Sequence, residues 1–511
     1  TMNDMEKAEI HRKIVCTKGE CEMKVVFAPR FDYARGKTAL SLTEHGVAVE
    51  HGGQQKGELV SPGEYGIKDD VATATLRFKE GESAYLTFHY HKTIPEEWTQ
   101  EHHERELVAT EQFWKDWAHR CDLKTCPVAG PWHDMVVRSS LVLKILFCEP
   151  PGSIAAAATT SLPESIGGVR NWDYRFSWIR DSSFTLQALF QLGYVKEARA
   201  YVEWLLQECC SMRNFDPKTV QIMYGLQGEV DLKEEILPHL EGYRGSKPVR
   251  VGNAAYLQKQ WDIFGSLLDT VWRIHEMDKD YRISEATWGI LRKFANYVVQ
   301  VWKDPDEGLW EVRGGKQNFV YSKVMCWVAL DRALRIAERY SFEGEVEVWK
   351  RERGAILSQI MERGWSEKKQ SFVLSFESED LDAALLLMPA VGFIDGKDPR
   401  MVSTVRAIEQ ELSVMNGLLM RYTAKDGLPG REGAFLPASF WLVDALVFAG
   451  EKERAKKHLV NLLKLANHVG LYAEEINPKT KEFLGNFPQA YSHIGLINSA
   501  YYLANGKGRS V

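Results

Sequence analysis

Two glutamates in separate aromatic settings, Glu311 and Glu474, are the residues of this chain best suited to acid–base chemistry. Glu311 closes the run Asp304-Pro305-Asp306-Glu307-Gly308-Leu309-Trp310-Glu311 and is followed by Val312 and Arg313. A carboxyl held against the Trp310 indole loses water, which raises its pKa toward the range a general acid needs. The competing reading is a solvated loop carboxylate paired with Arg313. Glu474 stands beside Glu475 in Leu471-Tyr472-Ala473-Glu474-Glu475-Ile476. Adjacent carboxyls repel unless one is protonated or paired, so the pair suits a base with a helper. Two carboxyls about 6.5–9.5 Å apart across a glycosidic bond leave room for a water and give inversion, whereas closer spacing gives retention. Glu311 and Glu474 lie 163 positions apart, so only a chain that closes on itself brings them together.

The residues that would grip a ligand cluster in Gly168–Ser182, with Tyr174, Trp178, Arg180 and Asp181 among four aromatics, three arginines and two aspartates. Flat rings take the C–H faces of a sugar, and fixed charged groups take its hydroxyls. An Arg–Asp network tying a loop to a helix end is the simpler alternative, with Asp181 as N-cap. Arg250 lies in the shaped polar loop Tyr243–Ala254, and Arg421 in Met420-Arg421-Tyr422.

These motifs need a scaffold. Residues 12–92 read as short alternating strands at 22–27, 38–42, 46–51, 71–78 and 84–90, broken by Gly, Pro and Asp. The alternation of Thr73, Thr75 and Arg77 with Ala74, Leu76 and Phe78 implies antiparallel sheet with one wet face. Domain one is therefore a β-sandwich over 1–94, with linker helices over 95–130. From 131 to 511 the pattern is helical, at 133–147, 181–192, 195–211, 257–276, 284–303, 319–340, 343–362, 401–413, 434–449, 452–467 and 488–504, and more weakly at 379–390. Every second connection is long and rich in Trp, Arg, Glu and Gly. That suits helical hairpins with one functional end. The absence of a strong repeat favours a closed toroid over a solenoid.

With 64 basic and 70 acidic residues, the net charge of -6 gives no support to a nucleic-acid or membrane-surface partner. No apolar run reaches the length of a bilayer span. Thirteen of the 16 tryptophans fall after residue 131, in the helical part. The eight cysteines are sparse. Cys16/Cys21 and Cys121/Cys126 each enclose four residues, but no second Cys/His pair stands nearby, so reduced thiols are expected and no metal site. His89-Tyr90-His91 and His102-His103 are read as ordinary and, in the charged helix, solvated. A cytoplasmic home is expected from the missing Asn-x-Ser/Thr sequons, with secretion the alternative because the chain begins with Thr1.

The run Asn171-Trp172-Asp173-Tyr174-Arg175-Phe176-Ser177-Trp178-Ile179-Arg180-Asp181 resembles glycoside hydrolase family 15, the glucoamylases, glucodextranases and microbial trehalases. The resemblance continues through 243–253, 308–313, 321–327, 430–441, 471–475 and 485–493. It implies a mainly α protein, an (α/α)6 barrel behind an N-terminal β-sandwich whose front strands are missing here. It implies an inverting, exo-acting, cofactor-free hydrolase that releases glucose from non-reducing ends. Glu311 is then the general acid and Glu474 the base. Tyr174, Trp178 and Trp310 form the pocket wall, while Arg180, Asp181, Arg250, Arg421 and Glu475 contact sugar or support those that do. Val312 follows the acid, as in the trehalase-like branch, so trehalase is the alternative to glucoamylase. The partner is a carbohydrate, with a homo-oligomer as the one protein partner considered. A terpene cyclase fails on Asp380-Leu381-Asp382, whose spacing is wrong for its metal motif. A phosphorylase needs one acid and a phosphate site, and a non-catalytic sugar-binding protein needs neither glutamate.

Overall fold

The computed structural model describes residues 8–506, apart from 91–99, 119–120, 122–123, 125, 211–215, 416, 425–426, 428 and 431. His91, the first residues of the chain and parts of the 95–130 segment therefore lie outside the described residues. The chain divides into two compact units, Thr1–Ala118 and His119–Val511.

Among the described residues the first unit holds eight strands: β1 (Glu9–Val15), β2 (Glu20–Phe27), β3 (Thr38–Leu42), β4 (Gly46–His51), β5 (Gln54–Val60), β6 (Gly66–Lys68), β7 (Val71–Lys79) and β8 (Ser83–Tyr90). They form two antiparallel sheets, β1-β8-β5-β4-β3 and β2-β7-β6. In β7, Ala72, Ala74, Leu76 and Phe78 are buried while Thr75, Arg77 and Lys79 face water. This is the period-2 pattern of a half-buried strand. These side chains meet Val47, Leu59 and Leu86 in one core. Strands β1, β5 and β6 escape the sequence reading because β1 and β5 carry little alternation and β6 has only three residues. Helix α1 (Gln100–Trp117) completes the unit. His103 is not solvated: it is buried, its ring stacked on Tyr85 at 4.9 Å. Burial pushes its pKa down to about 4.

The second unit is helical. Its elements are α2 (His133–Leu146), α3 (Ser182–Gln191), α4 (Val195–Cys210), α5 (Asp262–Met277), α6 (Glu285–Val301), α7 (Val320–Tyr340), α8 (Val346–Arg363), α9 (Pro399–Leu412), α10 (Leu436–Phe448), α11 (Lys452–Leu463) and α12 (Ala490–Asn505). The weak segment at 379–390 is a 3-10 turn, Ala383–Leu387, started by Asp382, whose carboxylate accepts from Ala384 N. Six elements touch in a closed cycle: α3, α5, α7, the 3-10 segment, α10, α12 and back to α3. The intervening helices pack outside them, α6 and α8 on α7, α9 on the 3-10 segment and α11 on α10 and α12.

Sequence composition dictates which helix lies where. Every residue of α10 is buried, as expected for a helix apolar all round. Outer helices bury one stripe only: Trp349, Ile356 and Ile360 in α8, and Ala455, Leu459 and Leu462 in α11. Charge is also buried between inner elements. Asp269 of α5 accepts from Arg273 at 2.7 Å and from Arg332 of α7 at 2.9 Å. Arg332 donates onward to Val391 O at 2.5 Å, joining a third element. Chain connections from an inner element outward are short, as at 192–194 and 341–345, whereas those returning inward are long, as at 147–181, 302–319 and 464–489.

Gly265 of α5 lies against α7 so closely that a Cβ would meet Met325 O at 2.2 Å. Gly289 of α6 has open space around it. Gly265→Ala should lower the urea midpoint, by about 1–3 kcal/mol in stability, as overpacking does. Gly289→Ala should leave it unchanged or gain up to about 1 kcal/mol from helix propensity. Equal midpoints for the two variants would contradict the inner–outer arrangement.

Candidate active site

The long inward connections converge on a cleft of about 900 Å³. It is lined by Tyr174, Trp178, Arg180, Asp181, Trp310, Glu311, Arg421 and Glu474, eight of the ten residues singled out from sequence. Arg250 and Glu475 are not among its walls. Arg250 is buried, donates to Val169 O at 3.0 Å and Asn171 O at 2.9 Å, and stacks on Trp172 at 4.7 Å. It braces the loop that carries the wall. Glu475 is wholly buried behind the cleft, where it accepts from Arg421 Nη2 at 2.5 Å and Gly433 N at 2.7 Å. Its carboxylate faces Arg421 and lines no wall of the cleft.

Each side chain is set by its backbone. Ser177–Trp178 pairs with Met223–Tyr224 as a short antiparallel ladder, and the chain then enters α3. Asp181 sits at the N-cap position, but its carboxylate makes no capping bond. Instead Asp181 Oδ1 lies 3.5 Å from Arg180 Nε, and neither atom has a hydrogen-bond partner among the described residues. Burial raises Asp181 to about 6. Arg180 Nη1 donates to Leu309 O at 2.8 Å, tying this loop to the one bearing Glu311.

Glu311 holds a left-handed backbone, φ 57, an uncommon and strained conformation for a non-glycine residue. The turn before it needs Gly308, where a Cβ would meet the Phe319 ring at 2.6 Å. Asp306 fixes the loop by accepting from Trp261 N at 2.9 Å and Ser322 Oγ at 2.8 Å. The indole against Glu311 is not that of its neighbour. Trp178 Nε1 donates to Glu311 Oε1 at 2.7 Å, whereas Trp310 Nε1 turns away and donates to Asp382 at 2.8 Å. Arg180 Nη1 is 3.5 Å from the same Glu311 oxygen. Arg313 faces Trp172 at 4.2 Å and Glu234 at 3.8 Å, so the Glu311–Arg313 ion pair does not form.

Glu474 immediately precedes a short ladder in which Glu475–Ile476 pairs with both Ala434–Phe435 and Phe483–Leu484. It is buried, accepts from Tyr174 Oη at 2.9 Å, and has Arg421 Nη2 3.8 Å away. Its Oε2 has no hydrogen-bond partner among the described residues. Burial raises its pKa, opposed by Arg421 and by the Tyr174 hydrogen bond. Tyr174 meets Trp178 edge-to-face at 5.4 Å. A continuous chain therefore joins the two carboxyls: Glu474, Tyr174, Trp178, Glu311.

Sequence reasoning missed Glu164, Arg170, Trp172 and Glu432. Arg170 pairs with Glu432, and Arg421 lies 3.5 Å from both Glu164 and Glu432. Arg170 and Trp172 fall inside the quoted aromatic–basic run, which was the available signal. Glu164 follows Leu162-Pro163 with nothing in its spacing to mark it.

The sequence profile of glycosyl hydrolases family 15 matches residues 130–501. The chain belongs to this family. Trehalase from Mycolicibacterium smegmatis is 38% identical over 502 residues, 96% of this chain and 74% of that protein. Trehalase from Thermoplasma volcanium is 36% identical over 96% of this chain and 77% of its own length. A bacterial glucoamylase solved with acarbose has TM-score 0.67 at 12% identity, covering 95% of this chain and 77% of that one. Glucoamylase from Saccharomycopsis fibuligera has TM-score 0.55 at 14% identity, covering 76% and 96%. At such identities the solved structures speak to fold alone. As a family 15 member the protein is a glycoside hydrolase. Among the described residues no helix is long and apolar enough to cross a membrane.

A buried carboxyl with a raised pKa is neutral below that pKa, so any activity that needs ionised Glu474 is lost as pH falls through it. Tyr174→Phe removes a bond that favours the anion. The acid limb of the kcat/KM–pH profile should move to higher pH, and an unmoved limb would separate Glu474 from that limb. Gly485→Ala places a methyl 2.9 Å from Glu474 Oε2. It should lower kcat in steady-state assays and also lower the thermal midpoint, because φ at this position is 77 and alanine holds that conformation only under strain.

Proposed function

We propose that the protein is an inverting α,α-trehalase built on an (α/α)6 toroid. The reading rests first on extensive similarity to trehalases, 38% identity over 96% of the chain. A glucoamylase activity on oligosaccharide ends, the other reading of the same site, draws its support from structural neighbours at 12–14% identity. Val312, beside Glu311, also favours the trehalase side.

In the proposed mechanism one glucose of trehalose enters the cleft with its hydroxyls toward Arg180 and Asp181. Glu311 donates a proton to the bridging oxygen as the glycosidic C–O bond breaks. Glu474 takes a proton from water as the water oxygen bonds to the anomeric carbon from the opposite face. The leaving glucose keeps its α configuration and the attacked one becomes β. Trp178 holds Glu311 by a hydrogen bond from its indole N–H. Arg421 and Tyr174 counter the burial that would otherwise keep Glu474 protonated. The reaction needs no cofactor in this scheme.

The test is a hydrolysis panel of trehalose, maltose, maltotriose and isomaltose followed by proton NMR of the first products. Trehalose should be the best substrate and should yield α- and β-glucose in equal initial amounts. Retention would yield α-glucose alone, and a preference for maltotriose would return the protein to the glucoamylase reading. Glu311→Gln and Glu474→Gln should each lower kcat by about 10²–10⁴-fold, the usual contribution of a positioned acid or base.

A further inference from the structure

Outside the cleft, the second unit gathers Cys121, Cys126 and His133, with one ligand atom of each within 4.8 Å of the others. The spacing in the chain is Cys121-x4-Cys126 followed by His133, the first residue of α2. Sequence spacing alone does not connect His133 to the cysteines, because a single histidine seven positions beyond a pair is not a recognised second half of a zinc motif. The fold makes the connection. Cys126 is buried, and Cys121 and His133 are partly buried. The Cys121 thiol lies 3.1 Å from His133 Nε2. The other ring nitrogen, Nδ1, faces Asp134 Oδ1 at 4.0 Å. Neither cysteine is in a disulfide.

We infer that Cys121, Cys126 and His133 form a binding site for one Zn2+ ion, which clips the segment entering the helical unit to the start of α2. The donor set decides the metal. Two thiolates and an imidazole suit Zn2+ and disfavour Mg2+ or Ca2+, which take oxygen ligands. Zinc holds sulfur at about 2.3 Å and nitrogen at about 2.0–2.1 Å, so tetrahedral neighbours stand about 3.5–3.8 Å apart. One pair of donor atoms is 3.1 Å apart and all three lie within 4.8 Å of one another, a range that brackets that spacing. Three ligands from the chain leave a fourth position for water or another donor. Binding replaces the two thiol protons, which pass to solvent, and involves no change of oxidation state. The role is structural: Cys121, Cys126 and His133 belong to none of the walls of the cleft.

The experiment uses the full-length chain, purified without a polyhistidine tag in the absence of chelator. Elemental analysis should find about one zinc per chain. After chelation under reducing conditions, Co2+ should bind with an intense thiolate-to-cobalt band in the near ultraviolet and d–d bands in the visible, typical of a tetrahedral thiolate site. Cys121→Ser combined with His133→Ala should abolish both signals, while Cys148→Ser keeps them. Because the cobalt spectrum is read on the unaltered protein, a misfolded variant does not obscure the result. Zinc far below one per chain together with no cobalt charge-transfer band would overturn the site. So would peptide mapping that finds Cys121 and Cys126 joined as a disulfide in the freshly isolated protein.

Discussion

The site depends on one guanidinium. Arg421 is buried and faces Glu164, Glu432, Glu474 and Glu475, and Arg170 is the second cation of the group among the described residues. Two positive charges among four carboxyls cannot sustain full ionisation in a medium that solvates charge poorly. Glu164 resolves part of the imbalance, since burial raises it to about 8 and it keeps its proton at neutral pH. The remaining carboxyls share Arg421 and Arg170. Three of them, Glu164, Glu432 and Glu475, converge within 4.8 Å, and Arg421 supplies the positive charge that such a gathering needs. Removing it would leave buried anions uncompensated, and its partners sit on three separate stretches of chain that it holds together.

From this cluster the order propagates to Glu311 through neutral side chains. Glu474 receives Tyr174, Tyr174 meets Trp178, and Trp178 donates to Glu311. The far carboxyl is thus oriented by a neutral indole and by the edge of a positive field from Arg180. The two glutamates occupy different surroundings, one deeply buried beside Arg421, the other at the open side of the cleft with a strained backbone. Separate environments are what two carboxyls need in order to play opposite proton-transfer roles.

Much of this arrangement was legible in the chain. Helix positions followed from apolar spacing, and the alternation of short and long connections followed from where Gly, Trp and Arg accumulate. The miss at 379–390, a 3-10 turn where a helix pattern was read, has a local cause: Asp382 starts a tight turn and Pro389 ends it. In the first unit β5 and β6 lacked an alternating face to read. The contacts of the site were less legible than its members. Trp310 is covalently next to Glu311, yet Trp178 holds the carboxyl, because a left-handed residue turns the chain between neighbouring side chains. Likewise, a charged pair such as Glu311 and Arg313 invites an ion-pair reading. That reading fails when Trp172 takes the guanidinium on its face.

Arg250 and Glu475 show the same limit from the other side. Both lie in motifs that build the cleft, and both are excluded from its walls. For Glu475 the reason is the extended backbone entering the ladder with Ala434 and Phe435. Consecutive residues in a strand point to opposite faces. Once Glu474 faces the cleft, Glu475 must face away from it, into protein, and a carboxylate there requires its own cation. Arg421 meets that requirement from behind while reaching Glu474 at 3.8 Å. An adjacent acidic pair on an extended segment is therefore better read as one group toward the ligand and one anchoring the arginine that tunes it. Trp172 likewise meets two guanidinium groups, Arg250 at 4.7 Å and Arg313 at 4.2 Å, and of these two Arg313 alone lines the cleft.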